Sequence, residues 1–264
     1  MAFRSPSFDA VQEVSIGNVV LGRAPVKIIS SVCAATAEEM IEQAKAIEAS
    51  GADIIEWRAD YFADGTSWQE AVAAMKAVVT KPVIYTFRSQ SEGGVRTEPM
   101  SSTTWRKKVL AAIDSKLFDA VDIEFDRGRA EFLVEAARKA GIASVVSWHS
   151  FVPGEYDEEL GYFGKLEQMS YTGADVLKIV AMPDKGIDIA RFIEEVSVIR
   201  AEFNAPQPLI AMCMGKTGAV TRVGAAAFGS CATFASVVMS SAPGQLDVET
   251  TRKLLDLFAE DNTA

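Results

Sequence analysis

Residues 143–149 read ASVVSWH, and residues 175–180 read DVLKIV. Both runs are short and rich in β-branched residues, which predicts strands. Side chains alternate faces along a strand. His149 therefore shares a face with Ser147 and Val145, and Lys178 shares one with Val176 and Val180. The opposite faces hold Val146 and Trp148 in one run and Leu177 and Ile179 in the other. Each run has one apolar face and one face with an ionisable group toward its C-terminal end.

The same pattern extends outward along the chain. Further strand candidates lie at 27–33 (KIISSVC), 53–58 (DIIEWR), 82–88 (PVIYTFR), 120–124 (AVDIE), 208–213 (PLIAMC) and 230–235 (SCATFA). Glu56 and Arg58 share a face with Ile54, Arg88 with Thr86 and Ile84, and Asp122 with Glu124. Ile55 and Trp57, Tyr85 and Phe87, and Ile123 and Phe125 occupy the other faces. Amphipathic helical stretches separate the strands. The first opens on a capping box, Thr36 with Glu39, followed by a stripe of Met40, Ile41, Ala44 and Ile47. The stretch near 187–201 repeats it with Ile189, Phe192, Ile193, Val196 and Ile199. The last helix is read as packing through Leu254, Leu255 and Phe258.

Eight strand–helix alternations without an obvious linker predict parallel α/β architecture. The reading is a (β/α)8 TIM barrel forming one domain over 1–264; an open doubly wound sheet is the alternative. The roughly 25 residues before the first strand are read as an N-terminal hairpin plug. If the apolar faces meet the helices, the charged faces point into the barrel. Buried unpaired charge is costly, so those groups must pair with one another or with a ligand. Barrel enzymes build their active sites at the C-terminal ends of the strands.

Composition narrows the function. The chain has 264 residues, 49% hydrophobic and 23% charged, with a formal net charge of −10. Such acidity, with no Lys/Arg cluster, argues against nucleic acid or an anionic membrane as partner. No apolar run approaches the ~20 residues of a membrane span. Met1–Asp9 has no apolar signal region. Cys33, Cys213 and Cys231 are odd in number and widely spaced, with no C-x-x-C. A disulfide framework or zinc site is not expected, and a reducing, cytoplasmic setting is. One histidine argues against a metal enzyme, although an all-carboxylate Mg²⁺ site stays open; no cofactor is expected.

Plainer readings stand beside the functional one. A strand lysine often snorkels, and a single histidine is often structural. Glu56 and Arg58 fit an internal salt bridge. Asp122 and Glu124 fit pairing with arginines that holds strands in register. Gly215-Lys216-Thr217 imitates the end of a phosphate loop, but Ile210 stands where that loop needs glycine. Cys231 reads as a strand thiol, and Met212 and Met214 as pocket packing.

Lysine is a nucleophile only when neutral. With a free pKa of ~10.4, roughly one molecule in two thousand is neutral at pH 7. Apolar neighbours and guanidinium groups raise that fraction, and Val176, Val180, Arg58 and Arg88 are the candidates. Histidine gives and takes protons near neutrality. Lysine, histidine and arginines without a metal point to imine chemistry on an anionic keto compound.

From about Lys27 to Val248 the sequence resembles the type I 3-dehydroquinase family. The carrying stretches are KIISSV at 27–32, DIIEWRADYF at 53–62, TFRSQSEGG at 86–94, DIEF at 122–125, SWHSF at 147–151 and DVLKIVAMP at 175–183. MCMGKTGAVTRV at 212–223, FGSCATFAS at 228–236 and SAPGQL at 241–246 complete them. The resemblance implies a (β/α)8 barrel, commonly a homodimer. It implies syn dehydration of 3-dehydroquinate to 3-dehydroshikimate, a step of the shikimate pathway. By position, Lys178 corresponds to the imine-forming lysine, His149 to the proton shuttle and Glu92 to the carboxylate that orients it. Glu56, Arg58 and Arg88 correspond to contacts with substrate hydroxyls. Arg222, Ser31, Ser241 and Gln245 correspond to the carboxylate-binding side, and the 241–246 loop to a lid. One departure is Ser150 after His149, where the family often has Asp or Asn; VPGEYDEE follows where a Thr-Pro is usual. The competing readings are a class I aldolase-like lyase sharing Lys178, and a catalytically dead barrel used as a scaffold.

Overall fold

A computed structural model describes residues 11–63, 65–154, 159–201 and 205–259. The expectation for Met1–Asp9 and residues 155–158 of the departing segment lie outside these. Ten strands and eight α-helices follow one another among the described residues. β1 (Val14–Ile16) and β2 (Val19–Leu21) form an antiparallel hairpin. The barrel strands are β3 (Lys27–Val32), β4 (Ile54–Arg58), β5 (Val83–Thr86), β6 (Ala120–Glu124), β7 (Ala143–His149), β8 (Val176–Ala181), β9 (Leu209–Cys213) and β10 (Ala232–Phe234). They pair in parallel in the order β10-β3-β4-β5-β6-β7-β8-β9. A bridge between Leu209 and Ser230 brings β9 to the β10 edge and all but closes the ring. The eight expected strands are all present. Several are shorter than expected by a residue or more at an end, and β5 stops at Thr86, which leaves Phe87 and Arg88 beyond the ladder.

The helices are α1 (Ala37–Glu48), α2 (Trp68–Lys76), α3 (Ser102–Ser115), α4 (Ala130–Ala140), α5 (Gly161–Ser170), α6 (Gly186–Ala201), α7 (Gly215–Val223) and α8 (Val248–Leu257). Thr36 caps α1 by accepting the Glu39 amide at 3.2 Å. The Glu39 carboxylate reaches one residue past the cap, to the Ala35 amide. Met40, Ala44 and Ile47 are buried along the expected stripe, and Ile189, Phe192, Val196 and Ile199 do the same on α6. The last helix departs from expectation. Leu255 is buried, but Phe258 stands in solvent just past the helix end, because α8 presents only one turn-spaced stripe to the barrel.

Face alternation divides the core in two. Ile55, Trp57, Tyr85, Phe87, Ile123, Val146, Leu177 and Ile179 pack outward against the helices. Ile29, Ile54, Ile84, Val145, Val176 and Ile210 fill the barrel interior. Val14, Ile16 and Leu21 of the hairpin join that interior cluster, so the hairpin plugs the barrel's N-terminal end. No described helix is long and apolar enough to cross a membrane.

The plug carries a stability prediction. Ile16 is fully buried, so Ile16→Ala should cost about 3 kcal/mol in urea unfolding and leave kcat/KM unchanged. A loss below about 1 kcal/mol would show that the plug does not support the barrel.

Candidate active site

The inward faces of β4 to β8 end in polar side chains. β4 contributes Glu56 and Arg58, β6 contributes Asp122 and Glu124, β7 contributes Ser147 and His149, and β8 contributes Lys178. Arg88 follows β5, and Glu92 sits in the short 3-10 turn Gln90–Glu92. All lie at the C-terminal end of the barrel, opposite the plug.

Arg88 is the hub of this layer. Its Nη2 donates to Asp122 Oδ2 at 2.8 Å. Its Nη1 lies 3.2 Å from Glu124 Oε1, 3.2 Å from Glu92 Oε2 and 3.0 Å from Ser147 Oγ. Burial works against its charge, but the surrounding carboxylates outweigh it and hold the guanidinium proton above its ordinary affinity. Asp122 is buried too. Arg88, Lys178 and the 2.6 Å hydrogen bond from Ser147 more than offset that burial and keep its carboxyl below the usual range.

His149 Nδ1 lies 2.8 Å from Glu92 Oε2. Burial pushes the imidazole well below its ordinary pKa, and Arg88, Lys178 and Arg58 push the same way. Burial and the nearby Glu124 carboxylate push Glu92 well up, against the pull of Arg88. The imidazole therefore rests neutral. A neutral ring that donates Nδ1–H to Glu92 leaves Nε2 as a base.

Lys178 is buried, with Nζ 3.4 Å from Asp122 Oδ2 and 3.6 Å from Glu56 Oε1. It also lies 4.4 Å from the centroid of the Phe234 ring. Val176 and Val180 flank it as expected, but the two adjacent carboxylates were not anticipated. They come from β4 and β6, and strand spacing along the sequence carries no signal for a contact across the barrel. Glu56 is itself fixed by Ser31 Oγ at 2.7 Å and Thr86 Oγ1 at 2.9 Å.

The Glu56–Arg58 salt bridge, the plainer alternative for these two residues, does not form. Arg58 instead gives a two-pronged pair to Asp60, Nε to Oδ1 and Nη2 to Oδ2, both at 2.8 Å. Asp60 is fully buried and also accepts the backbone amides of Arg88 and Val95. The chain leaves the ladder after Arg58, which lets residue 60 turn back onto its neighbour; strand parity does not show this.

Arg222, on α7, is 1% exposed. Its Nη1 meets Met212 Sδ at 3.1 Å, its Nη2 meets Pro243 O at 3.3 Å, and Nε has no partner. No carboxylate pairs with it among the described residues. Burial lowers its pKa to about 10. A buried guanidinium without a carboxylate partner is costly to hold, which makes Arg222 a candidate anion-binding group. The 241–246 loop folds beside it. Gln245 Oε1 accepts the Ser241 amide at 3.0 Å, and Ser241 Oγ lies 2.9 Å from Ser31 Oγ. Gly244 has a φ of 82°, and a Cβ there would collide with the Gly215 carbonyl, so glycine lets the loop close against α7.

These groups surround one cleft of about 440 Å³, open mouth included. Every site residue expected from the sequence lines it except Ser31, which supports it through Glu56 and Ser241. Met212 and Met214 line it as well. Phe151, Phe234, Gly93 and Ala242 were not singled out and also line it. Burial raises the Cys33 and Cys213 thiols to about 12, which makes both unreactive. The described residues contain no group of His, Cys, Asp or Glu able to hold a metal.

A barrel with its ionisable groups gathered at the C-terminal mouth belongs to the (β/α)8 enzyme class. The family profile described as type I 3-dehydroquinase matches residues 28–262. The 3-dehydroquinate dehydratases of Salmonella agona and Salmonella typhimurium are each 34% identical over 254 residues, covering 94% of this chain and 99% of theirs. The solved Geobacillus kaustophilus 3-dehydroquinate dehydratase superposes with a TM-score of 0.86 at 28% identity, over 93% of this chain and 96% of that one. The type I enzyme from Clostridium difficile, solved with covalently modified comenic acid, gives 0.85 at 27%, over 94% and 98%. The chain belongs to the type I 3-dehydroquinase family and is a lyase, a 3-dehydroquinate dehydratase.

The Asp60 clamp predicts a measurable cost. Asp60→Ala leaves the Arg58 charge buried without its partner and should destabilise the fold by roughly 3–5 kcal/mol in denaturant titration. A cost below about 1 kcal/mol would mean that the clamp does not hold Arg58.

Proposed function

We propose that this chain, acting as one barrel domain, converts 3-dehydroquinate to 3-dehydroshikimate in the shikimate pathway through an imine on Lys178. The observation that carries the reading is one cleft holding a buried lysine, a neutral histidine and an arginine without an anion. Arg222, with Ser31, Ser241 and Gln245 beside it, takes the substrate carboxylate; a guanidinium fork fits that group. Glu56, Arg58 and Arg88 face the hydroxyls. The keto carbon then lies over Lys178.

Neutral Nζ attacks the carbonyl carbon, and His149 relays protons while the carbinolamine loses water to give an iminium. The iminium acidifies C2 by accepting its electron pair. His149 takes the C2 proton, the pair forms an enamine, and the C1 hydroxyl leaves as water with a proton returned by His149. Hydrolysis of the conjugated iminium restores Lys178 and consumes one water. The net change is the loss of one water, and no cofactor enters. Glu92 holds His149 in the orientation this needs. The covalently modified ligand in the Clostridium difficile relative supports a site competent for covalent chemistry. We read the working form as a cytoplasmic homodimer without nucleic acid or membrane partners.

Three outcomes test this. Lys178→Ala should abolish turnover while calorimetry still detects substrate binding; near-normal turnover would end the imine mechanism. Arg222→Ala should raise KM roughly ten- to a hundredfold, the equivalent of ~1.5–3 kcal/mol for a charged hydrogen bond. An unchanged KM would remove Arg222 from the site. His149 is depressed in the free enzyme, so it stays a base at acid pH where an ordinary imidazole is charged. The acid limb of kcat/KM should lie below ~6.5. A limb at or above that value would contradict a neutral, buried base.

A further inference from the structure

We propose that Asp122 is the counter-ion of the reacting nitrogen, a positioning residue that keeps the iminium on Lys178 charged. The inference rests on the imine reading above. Asp122 does not line the cleft; it lies beneath Lys178, with Oδ2 3.4 Å from Nζ and 2.8 Å from Arg88 Nη2. Ser147, on the strand between them, fixes the other oxygen at 2.6 Å. All three side chains are buried.

The chemistry needs such a group. An iminium withdraws electrons only while it carries its proton, and a buried cation without a partner sheds its charge. The surroundings are otherwise hostile. Arg58 from β4, Arg88 after β5 and Arg222 from α7 all bring positive charge to this cleft. Of the nearby carboxylates, Glu92 is engaged by His149 and Arg88, and Glu124 by Arg88 and Arg127. Glu56 meets Nζ at 3.6 Å but faces the cleft, where a bound substrate competes for it. From β3, β9 and β10 the facing groups are Ser31, Met212 and Phe234, none of them charged. Among the described residues Asp122 alone meets the nitrogen from outside the cleft lining. It also ties Lys178 to His149 through Asp122–Arg88–Glu92.

This role differs from merely holding strands together, and the pH profile separates the two. In Asp122→Asn the size of the side chain is kept and the charge is lost. The iminium then gives up its proton more easily. The basic limb of kcat should move acidward by about one pH unit, so that kcat falls by up to about tenfold at pH values above the limb and little below it. KM should stay within about threefold, since Asp122 does not touch substrate. A folded Asp122→Asn enzyme whose basic limb is unmoved would overturn the proposal, even if its melting temperature fell. Should that variant not fold, Ser147→Ala decides. It loosens Asp122 without removing its charge and should move the same limb by a smaller amount; an unmoved limb overturns the proposal. Turnover in Lys178→Ala would instead sink the imine reading, so the two failures are distinguishable.

Discussion

The mouth of this barrel is organised by the pairing of buried charge around Arg88. One guanidinium touches Asp122, Glu124 and Glu92, which come from β6 and from the turn after β5. Removing any one partner would strand a charge in a low-dielectric interior. That constraint fixes the other positions. Glu92 is held where it meets His149, and Asp122 where it meets Lys178. The lysine and the histidine are thus set by a single cation that belongs to neither.

Against this satisfied network stands one group left incomplete. Arg222 is as buried as Arg88, yet among the described residues its hydrogen-bond partners are a thioether and a backbone carbonyl. A buried charge without a carboxylate partner is costly to hold, and an anion bound there would lower that cost. The 241–246 loop, packed through Gly244 on the start of α7, sits where it can cover such a ligand. One side of the cleft is therefore internally paired, and the other holds a guanidinium with no carboxylate partner among the described residues.

Much of this was legible in the sequence because strand parity is a local property. Glu56 with Arg58, Asp122 with Glu124, and Ser147 with His149 are two residues apart, so one face could be read directly. Closure of the barrel then forces those faces together. What parity leaves out is the identity of partners across the barrel. Asp60 lies beyond the end of β4, and its turn back onto Arg58 depends on where the ladder stops. The carboxylates beside Lys178 arrive from two strands away on one side and four on the other. The hairpin plug was readable only as a segment left over before the first strand, until Ile16 and Leu21 were placed in the interior cluster. Phe258 departs the other way: read with Leu254 and Leu255 as a packing residue of the last helix, it lies past the helix end in solvent.

The central claim is that catalysis passes through a covalent bond to one lysine. The most direct measurement is intact mass with peptide mapping after 3-dehydroquinate and sodium borohydride are added together. A reduced adduct on the peptide containing Lys178 is the expected result. Formation of the ultraviolet-absorbing enone product with no adduct, or with the adduct on a different residue, would contradict it.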